Sequence, residues 1–126
     1  MDNNARLVKD LLEANNDLEE RLRKSEFKVG YDNEHDMLLV TIGAPQEAIT
    51  EQVSKRLYVR FDPETDRIVG MTITSFRKGF LREHADFRKH FETVFAPRRS
   101  IDSWEFVPQT QGSEEASTAL RGLVPA

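Results

Sequence analysis

Hydrophobic and polar residues alternate with a period of two along much of residues 27–75, as in strands that bury one face. Phe27, Val29 and Tyr31 share one side of the first such segment. The next segment, residues 37–42, is apolar on both faces and is therefore predicted to be a central strand.

Three more segments extend this pattern. Residues 49–53 predict a short, exposed edge strand, and residues 57–61 alternate again. Residues 68–74 predict another strand, in which Gly70 indicates a bulge or the close approach of another backbone. We expect four or five antiparallel strands in sequence order, a β-meander with one face that needs a cover.

A repeated acidic turn separates pairs of these strands, at residues 31–36 and again at residues 61–66. Carboxylates at alternate positions also begin the calcium loop of EF-hands, which requires glycine at position 6 and glutamate at position 12. Neither copy meets both requirements. Short acidic residues commonly cap hairpin turns, so the pattern predicts turns and no metal site.

An amphipathic helix is predicted from Ala5 to about Lys24, a stretch without glycine or proline. Its apolar residues recur with the spacing of a short heptad seam. Two interpretations are equally favoured: the seam packs on the protein's own sheet, or it pairs with a second copy through Leu7, Leu11 and Leu18.

A second amphipathic helix is predicted from Gly79 to Phe95, with an aromatic stripe at helical spacing. The stripe can dock on the sheet, on a partner subunit, or on both. Its candidate self-association residues are Phe87, Phe91 and Phe95.

The pattern therefore predicts an α+β protein with three parts: a helix at residues 1–25, a β-meander with its covering helix at 26–96, and an extended, largely disordered tail at 97–126. Trp104 and Phe106 are the aromatic pair of that tail. They either fold back onto the sheet edge or form a peptide that a partner captures by strand addition.

Composition limits the chemistry. The 126 residues suit one domain with extensions, and the absence of cysteine excludes disulfides and thiolate sites. No apolar run approaches the ~20 residues that span a bilayer. The polar N-terminal stretch lacks the core of a signal peptide, so a cytoplasmic protein is expected.

The net charge of −4 is unevenly distributed. Residues 1–75 carry a net charge of −5, residues 76–99 carry +4, and residues 100–126 carry −3. Acidic neighbours in the basic segment can pair locally with its cations. A solvated or subunit-pairing face is the favoured interpretation of the segment. It is also a candidate nucleic-acid surface, because phosphate neutralisation needs such a cluster. Its cations are Arg77, Lys78, Arg82, Arg88, Lys89, Arg98 and Arg99.

The histidines do not suggest catalysis. Asp86 and His90 stand four residues apart, as two metal ligands can, but no third ligand accompanies them. His84 falls on the aromatic stripe without a paired nucleophile or base. We therefore expect no enzymatic activity and no cofactor.

Residues 27–75 resemble a widespread prokaryotic family of small β-sheet domains of unknown function. The similarity lies in the Tyr-Asp-x-Glu-x-Asp turn at residues 31–36, followed by an apolar strand. It continues in the aromatic-Asp turn at Phe61 and the Ile-Val-Gly-Met-x-Ile strand at residues 68–73. The resemblance implies a small antiparallel sheet that associates readily with other copies or with helices, and it implies no activity.

These observations favour a non-catalytic module for protein–protein interaction and oligomerisation, acting as an accessory or regulatory subunit. Its expected partners are a second copy, with a dimer favoured, and another protein, without a membrane. The alternative is a nucleic-acid-associated or antitoxin-like regulatory protein that uses residues 77–99.

Overall fold

A computed structural model describes residues 3–99, 103–109 and 114–124, with the side chains of residues 3–8 excepted. The sheet strands are β1 (Phe27–Asp32), β2 (Met37–Ile42), β3 (Ile49–Gln52), β4 (Leu57–Phe61), β5 (Ile68–Ile73), β6 (Phe95–Arg99) and β7 (Trp104–Pro108). The helices are α1 (Asn3–Ala14), α2 (Leu18–Lys24), α3 (Leu81–Glu83), α4 (Ala85–Val94) and α5 (Glu114–Arg121), and a π-helical segment, Phe76–Phe80, leads into α3.

The described strands form one antiparallel sheet in the order β3-β4-β5-β2-β1-β7-β6. The predicted α+β class with an antiparallel sheet is confirmed, and β2 is central as expected. The predicted meander is wrong in two respects, because the described residues form seven strands rather than four or five and the strands do not follow sequence order. β5 pairs with β2, which already pairs with β1. The strand predicted to be central therefore has a neighbour on each side, and one of them comes from later in the chain.

One face of the sheet is buried. Val29, Val40, Met71 and Val59 are paired across four neighbouring strands, and none is more than 3% exposed. The opposite face is open, since Leu39 of the central strand is 41% exposed. Antiparallel sheets commonly expose one face in this way.

The N-terminal helix differs from the predicted continuous rod. It breaks at residues 15–17 into α1 and α2, which bury Leu11, Leu18 and Leu22 in the core of the same chain. Leu11 and Leu18 are each 1% exposed, so they are not an external seam for self-association. The side chain of Leu7 lies outside the described part of the chain.

Asn15 explains the break. This buried side chain donates hydrogen bonds to the carbonyls of Leu11 (2.7 Å) and Asp66 (2.8 Å). Its carbonyl oxygen accepts from the backbone N–H of Ile68 (2.7 Å) and from Arg21 (2.5 Å). Arg21 in turn donates to the Ile68 carbonyl at 2.9 Å. Asn15 thus joins the helix turn to the start of β5.

The aromatic segment is less regular than the predicted helix. A π-helical segment and α3 precede α4, and Phe95 already belongs to β6. The stripe covers the sheet: Phe91 and Phe95 are 1% and 2% exposed, and Phe87 is partly buried against the same core. Their burial within one chain shows why the spacing alone could not distinguish a covering helix from an interface.

The predicted disordered tail also differs from the structure. Within its described ranges, β6 and β7 extend the sheet beyond β1, and α5 packs beside α2 and α4. Ala116, Ala119 and Leu120 of α5 are no more than 1% exposed. Small residues give a weak hydrophobic pattern but allow close helix packing, which is why the sequence indicated so little order here.

The two acidic turns form as predicted between β1 and β2 and between β4 and β5. Each ends on an aspartate with left-handed backbone, Asp36 at φ 55° and Asp66 at φ 60°. Gly70 marks a close approach, since a Cβ there would lie 2.9 Å from the Val40 carbonyl oxygen. The β4–β5 register shifts next to it, between Arg60 and Phe61.

Replacing Asn15 with alanine is expected to lower the free energy of unfolding by about 3 kcal/mol, because it leaves buried backbone groups unpaired. Asn16→Ala, at the exposed neighbour in the same turn, is the matched control and is expected to cost less than about 0.5 kcal/mol. Urea unfolding of both variants measures the difference. Equal losses would show that the Asn15 amide does not join the helices to the sheet.

Candidate functional site: a cationic groove with an apolar floor

A groove of about 580 Å³ lies where the π-helical segment, α3 and α4 meet β6 and β7. Its volume falls within the range of ordinary binding pockets. Cationic side chains stand around it and apolar side chains form its floor. It is lined by Arg77, Lys78, Leu81, Arg82, Arg88, Phe91, Glu92, Phe95, Ala96, Pro97, Phe106 and Gln109.

Asp36 fixes one end of the groove from a distant turn. Its carboxylate accepts hydrogen bonds from the backbone N–H groups of Arg77 (2.9 Å) and Lys78 (3.0 Å). Its own carbonyl accepts from the N–H of Phe76 at 2.9 Å. The first turn of a helix leaves such N–H groups unpaired, so an aspartate from elsewhere can cap it. The β1–β2 turn therefore positions the first two cations of the groove.

Tyr31 completes this contact. Its hydroxyl donates to the Asp36 carboxylate at 2.6 Å, and the Arg77 guanidinium lies 5.1 Å from the centre of its ring. Burial, together with the hydrogen bond to Asp36, raises the pKa of Tyr31 to about 12, so the hydroxyl stays protonated as a donor. Partial burial alone would raise the pKa of Asp36, but the hydrogen bonds from Tyr31, Arg77 and Lys78 outweigh it and lower that pKa.

The floor of the groove is made of packed rings. Phe91 contacts Phe95, with 4.8 Å between ring centres, and Phe106, with 5.0 Å. Phe76 supports Phe91 from below at 5.4 Å. Gln109 closes the far side, donating from its amide to the carbonyls of Glu92 and Phe95, each at 3.2 Å. Contacts within the chain itself therefore hold the floor in place.

The cations of the groove differ in their partners. Arg88 pairs with Glu92 at 2.7 Å, as local spacing predicts. Glu83, however, pairs with Arg56 at 2.9 Å on another part of the surface, so it does not neutralise Arg82. Among the described residues, no carboxylate forms an ion pair with the side chains of Lys78 or Arg82.

The other cations of the predicted nucleic-acid surface do not line the groove. Lys89 is exposed elsewhere on α4. Arg98 donates to Glu105 at 2.8 Å, an ion pair that lowers the pKa of Glu105. Arg99 lies 5.8 Å from the centre of the Trp104 ring. The structure therefore gathers four of the seven predicted cations.

The two aromatic residues of the predicted partner peptide lie inside the sheet. Trp104 and Phe106 belong to β7, which is paired with β1 on one side and β6 on the other. Phe106 is 7% exposed. A strand with both edges paired cannot add to a partner's sheet, so capture of this peptide would require the sheet to open.

Other surfaces of the described chain offer less. A cavity of about 610 Å³ beside Trp104 is lined by the acidic residues Asp32 and Glu34 and by the basic residue Arg99. His84 packs against Phe80, with 4.5 Å between ring centres and the ring planes tilted by 40°. Within the described ranges no three histidine, aspartate or glutamate side chains converge as metal ligands, and none of the helices there has the length and apolar character needed to cross a membrane.

Sequence reasoning missed Asp36 and Gln109 as residues that shape this site. The acidic pattern predicts that Asp36 belongs to a hairpin turn, but nothing in the sequence indicates that its carboxylate reaches the backbone of Arg77 and Lys78. Gln109 follows a proline in a polar stretch where nothing marks it. Both residues form hydrogen bonds to groups that are distant in sequence. Asp36 lies 41 residues before Arg77, and Gln109 lies 14 residues after Phe95.

Asp36→Asn is expected to lower the free energy of unfolding by about 1.5 kcal/mol at about pH 7, since a charged acceptor is replaced while left-handed backbone remains accessible to asparagine. The pKa of Asp36 is lowered from 3.8 by folding, so its stabilisation is present above that value and lost as pH falls through the folded-state pKa. The difference between variant and wild type should therefore shrink as the pH falls below 3.8 and through the lowered pKa of Asp36.

Urea unfolding at several pH values measures this difference. Glu34→Gln, at an exposed position of the same turn, serves as the control and should change stability little at any pH. A difference for Asp36→Asn that persists unchanged into acid would contradict the charged cap.

No protein-family model, curated protein or solved structure matches this chain. The resemblance of residues 27–75 to a prokaryotic β-sheet family therefore stays a prediction. The geometry of the groove is the observation from which function is inferred.

Proposed function

We propose that this chain is a non-catalytic protein-interaction module, an accessory or regulatory subunit whose groove holds a segment of a partner protein. One observation carries the proposal: a groove of about 580 Å³ combines a rigid apolar floor with a cationic rim. Apolar pockets with a few placed polar groups are the usual form of a binding site.

The frame around the groove supports this proposal. Asp36 holds the π-helical segment and Gln109 holds the end of α4, so both sides are fixed by hydrogen bonds. A preformed site loses less conformational entropy when a ligand binds. Such rigidity favours recognition of a protruding segment over a broad, adaptable surface.

Self-association of the chain also stays a prediction. In the folded subunit, Leu11, Leu18, Phe91 and Phe95 do not form an exposed surface through which two copies could pair. Each is no more than 2% exposed within one subunit. A dimer that used them would have to unfold the core first. The proposal therefore rests on the groove and not on the heptad seam.

A cysteine-free chain allows a direct test of the groove. A bulky maleimide is attached to the cysteine of Glu92→Cys, on the groove rim. The control carries the same maleimide on Lys89→Cys, on the same helix but outside the groove. Random peptides displayed on phage are selected on the wild-type protein. Selected peptides are expected to lose at least about tenfold in affinity for the labelled Glu92→Cys protein and to keep their affinity for the labelled control.

Unlabelled Glu92→Cys separates the effect of the label from the loss of the carboxylate. Peptides that bind both labelled proteins equally would contradict the proposal, and so would a selection that yields no binder.

Nucleic-acid association is the second candidate function. The observation that favours it is the absence, among the described residues, of carboxylates paired with Lys78 and Arg82. Phosphates could occupy those positions, and counterion release would drive the binding. The burial of the floor argues against nucleic-acid binding, since Phe91 and Phe95 are too buried to stack on bases.

This candidate predicts a steep dependence on salt. Binding of a labelled single-stranded oligonucleotide should weaken by at least about tenfold between about 0.05 M and about 0.2 M salt, and Arg82→Glu should weaken it further. Fluorescence anisotropy measures both effects. Binding that is absent at low salt, or that does not respond to Arg82→Glu, would remove the candidate.

A further inference from the structure

We infer that the ligand of the groove is an acidic peptide segment whose aliphatic or aromatic side chains enter the cavity while its carboxylates pair with Lys78 and Arg82. This inference rests on the proposed function and specifies the partner's chemistry. It follows from the charge of the rim, the shape of the floor and the exposure of the rings.

The rim selects for negative charge. Four cations line the groove against one carboxylate, and that carboxylate, Glu92, is engaged with Arg88. No described carboxylate forms a close ion pair with Lys78 or Arg82, although the charge of Lys78 interacts with the Asp36 carboxylate and helps to lower its pKa. A ligand with carboxylates satisfies them, whereas a basic ligand would meet like charges on the rim.

The floor selects for apolar side chains. Leu81 and Phe106 are each 7% exposed, and Phe91 and Phe95 still less, so the rings leave a concave lining rather than a flat aromatic platform. A branched aliphatic or aromatic side chain can fill such a lining and bury it from water. A nucleic-acid base needs an accessible ring face, which this floor does not provide.

The rim and the floor together require both features on one segment. Cations hold carboxylates and determine the orientation of the ligand, while the cavity removes the ligand's apolar side chains from water. A folded partner can meet this requirement with one protruding acidic loop or helix. The chemistry therefore identifies an amphipathic acidic segment of a protein.

Three synthetic peptides test this inference on the full chain. The first combines glutamate and aspartate with leucine and phenylalanine, the second replaces every acid by its amide, and the third replaces every apolar residue by alanine. Fluorescence anisotropy should show that the first binds at least about tenfold more tightly than either of the others. Its affinity should also fall as salt rises from about 0.05 M to about 0.5 M.

A pair of charge-reversal variants locates the effect. Arg82→Glu, on the groove rim, should weaken binding of the acidic peptide by at least about tenfold. Lys89→Glu makes the same charge change on an exposed site outside the groove and should alter binding by less than about twofold. Circular dichroism of both variants checks that they fold.

Several outcomes would overturn the inference. The first is equal binding of the acidic and amide peptides, and the second is an equal effect of the two variants. The third is a single-stranded oligonucleotide or oleate that binds more tightly than the acidic peptide and displaces it. A molar mass by light scattering that halves in Arg82→Glu would assign the groove to a second copy of the chain. Groove-dependent peptides that are neutral or basic would overturn this inference and leave the proposed function standing. A failure of every peptide to depend on the groove would remove both.

Discussion

The hydrogen bonds of one buried amide hold the helical layer against the sheet. Asn15 ends α1, redirects the chain into α2 and satisfies backbone groups at the start of β5. An apolar residue at this position would leave those groups without partners in a site shielded from water. The packing of Leu11, Leu18 and Leu22 depends on this junction, because it sets the angle between the two helices that carry them.

The two copies of the acidic turn have parallel roles in this arrangement. The turn after β4 offers the carbonyl of Asp66 to Asn15, and the turn after β1 offers the carboxylate of Asp36 to the π-helical segment. Each turn joins two strands and also anchors a helical segment to the sheet. The repetition visible in the chain is therefore a repetition of attachment points, and the first copy, at residues 31–36, shapes the groove.

Much of the sheet could be predicted from sequence, because a period of two reports directly on a strand with one buried face. The pattern located β1, β2, β4 and β5 and the edge strand β3. Pairing was harder to predict, since alternation does not state which strand lies beside β2. The heptad spacing of Leu11 and Leu18 was ambiguous for the same reason: it shows which face is apolar, not what covers that face. The groove combines four cations with Phe106 of β7 and with Gln109, which follows that strand, and no local pattern links those positions.

The position of β7 bears on when the groove can exist. Synthesis proceeds from the N-terminus, and the β1–β2 hairpin can close as soon as residue 42 is available. The second edge of β1 stays unpaired until residues 104–108 follow, and the floor lacks Phe106 and the closing amide of Gln109 until then. A chain still attached to the ribosome before that point offers an exposed strand edge and no complete groove. A nascent chain that has not yet released residues 104–109 therefore lacks part of the floor, and the groove proposed as a binding site is complete only after β7 has paired with β1.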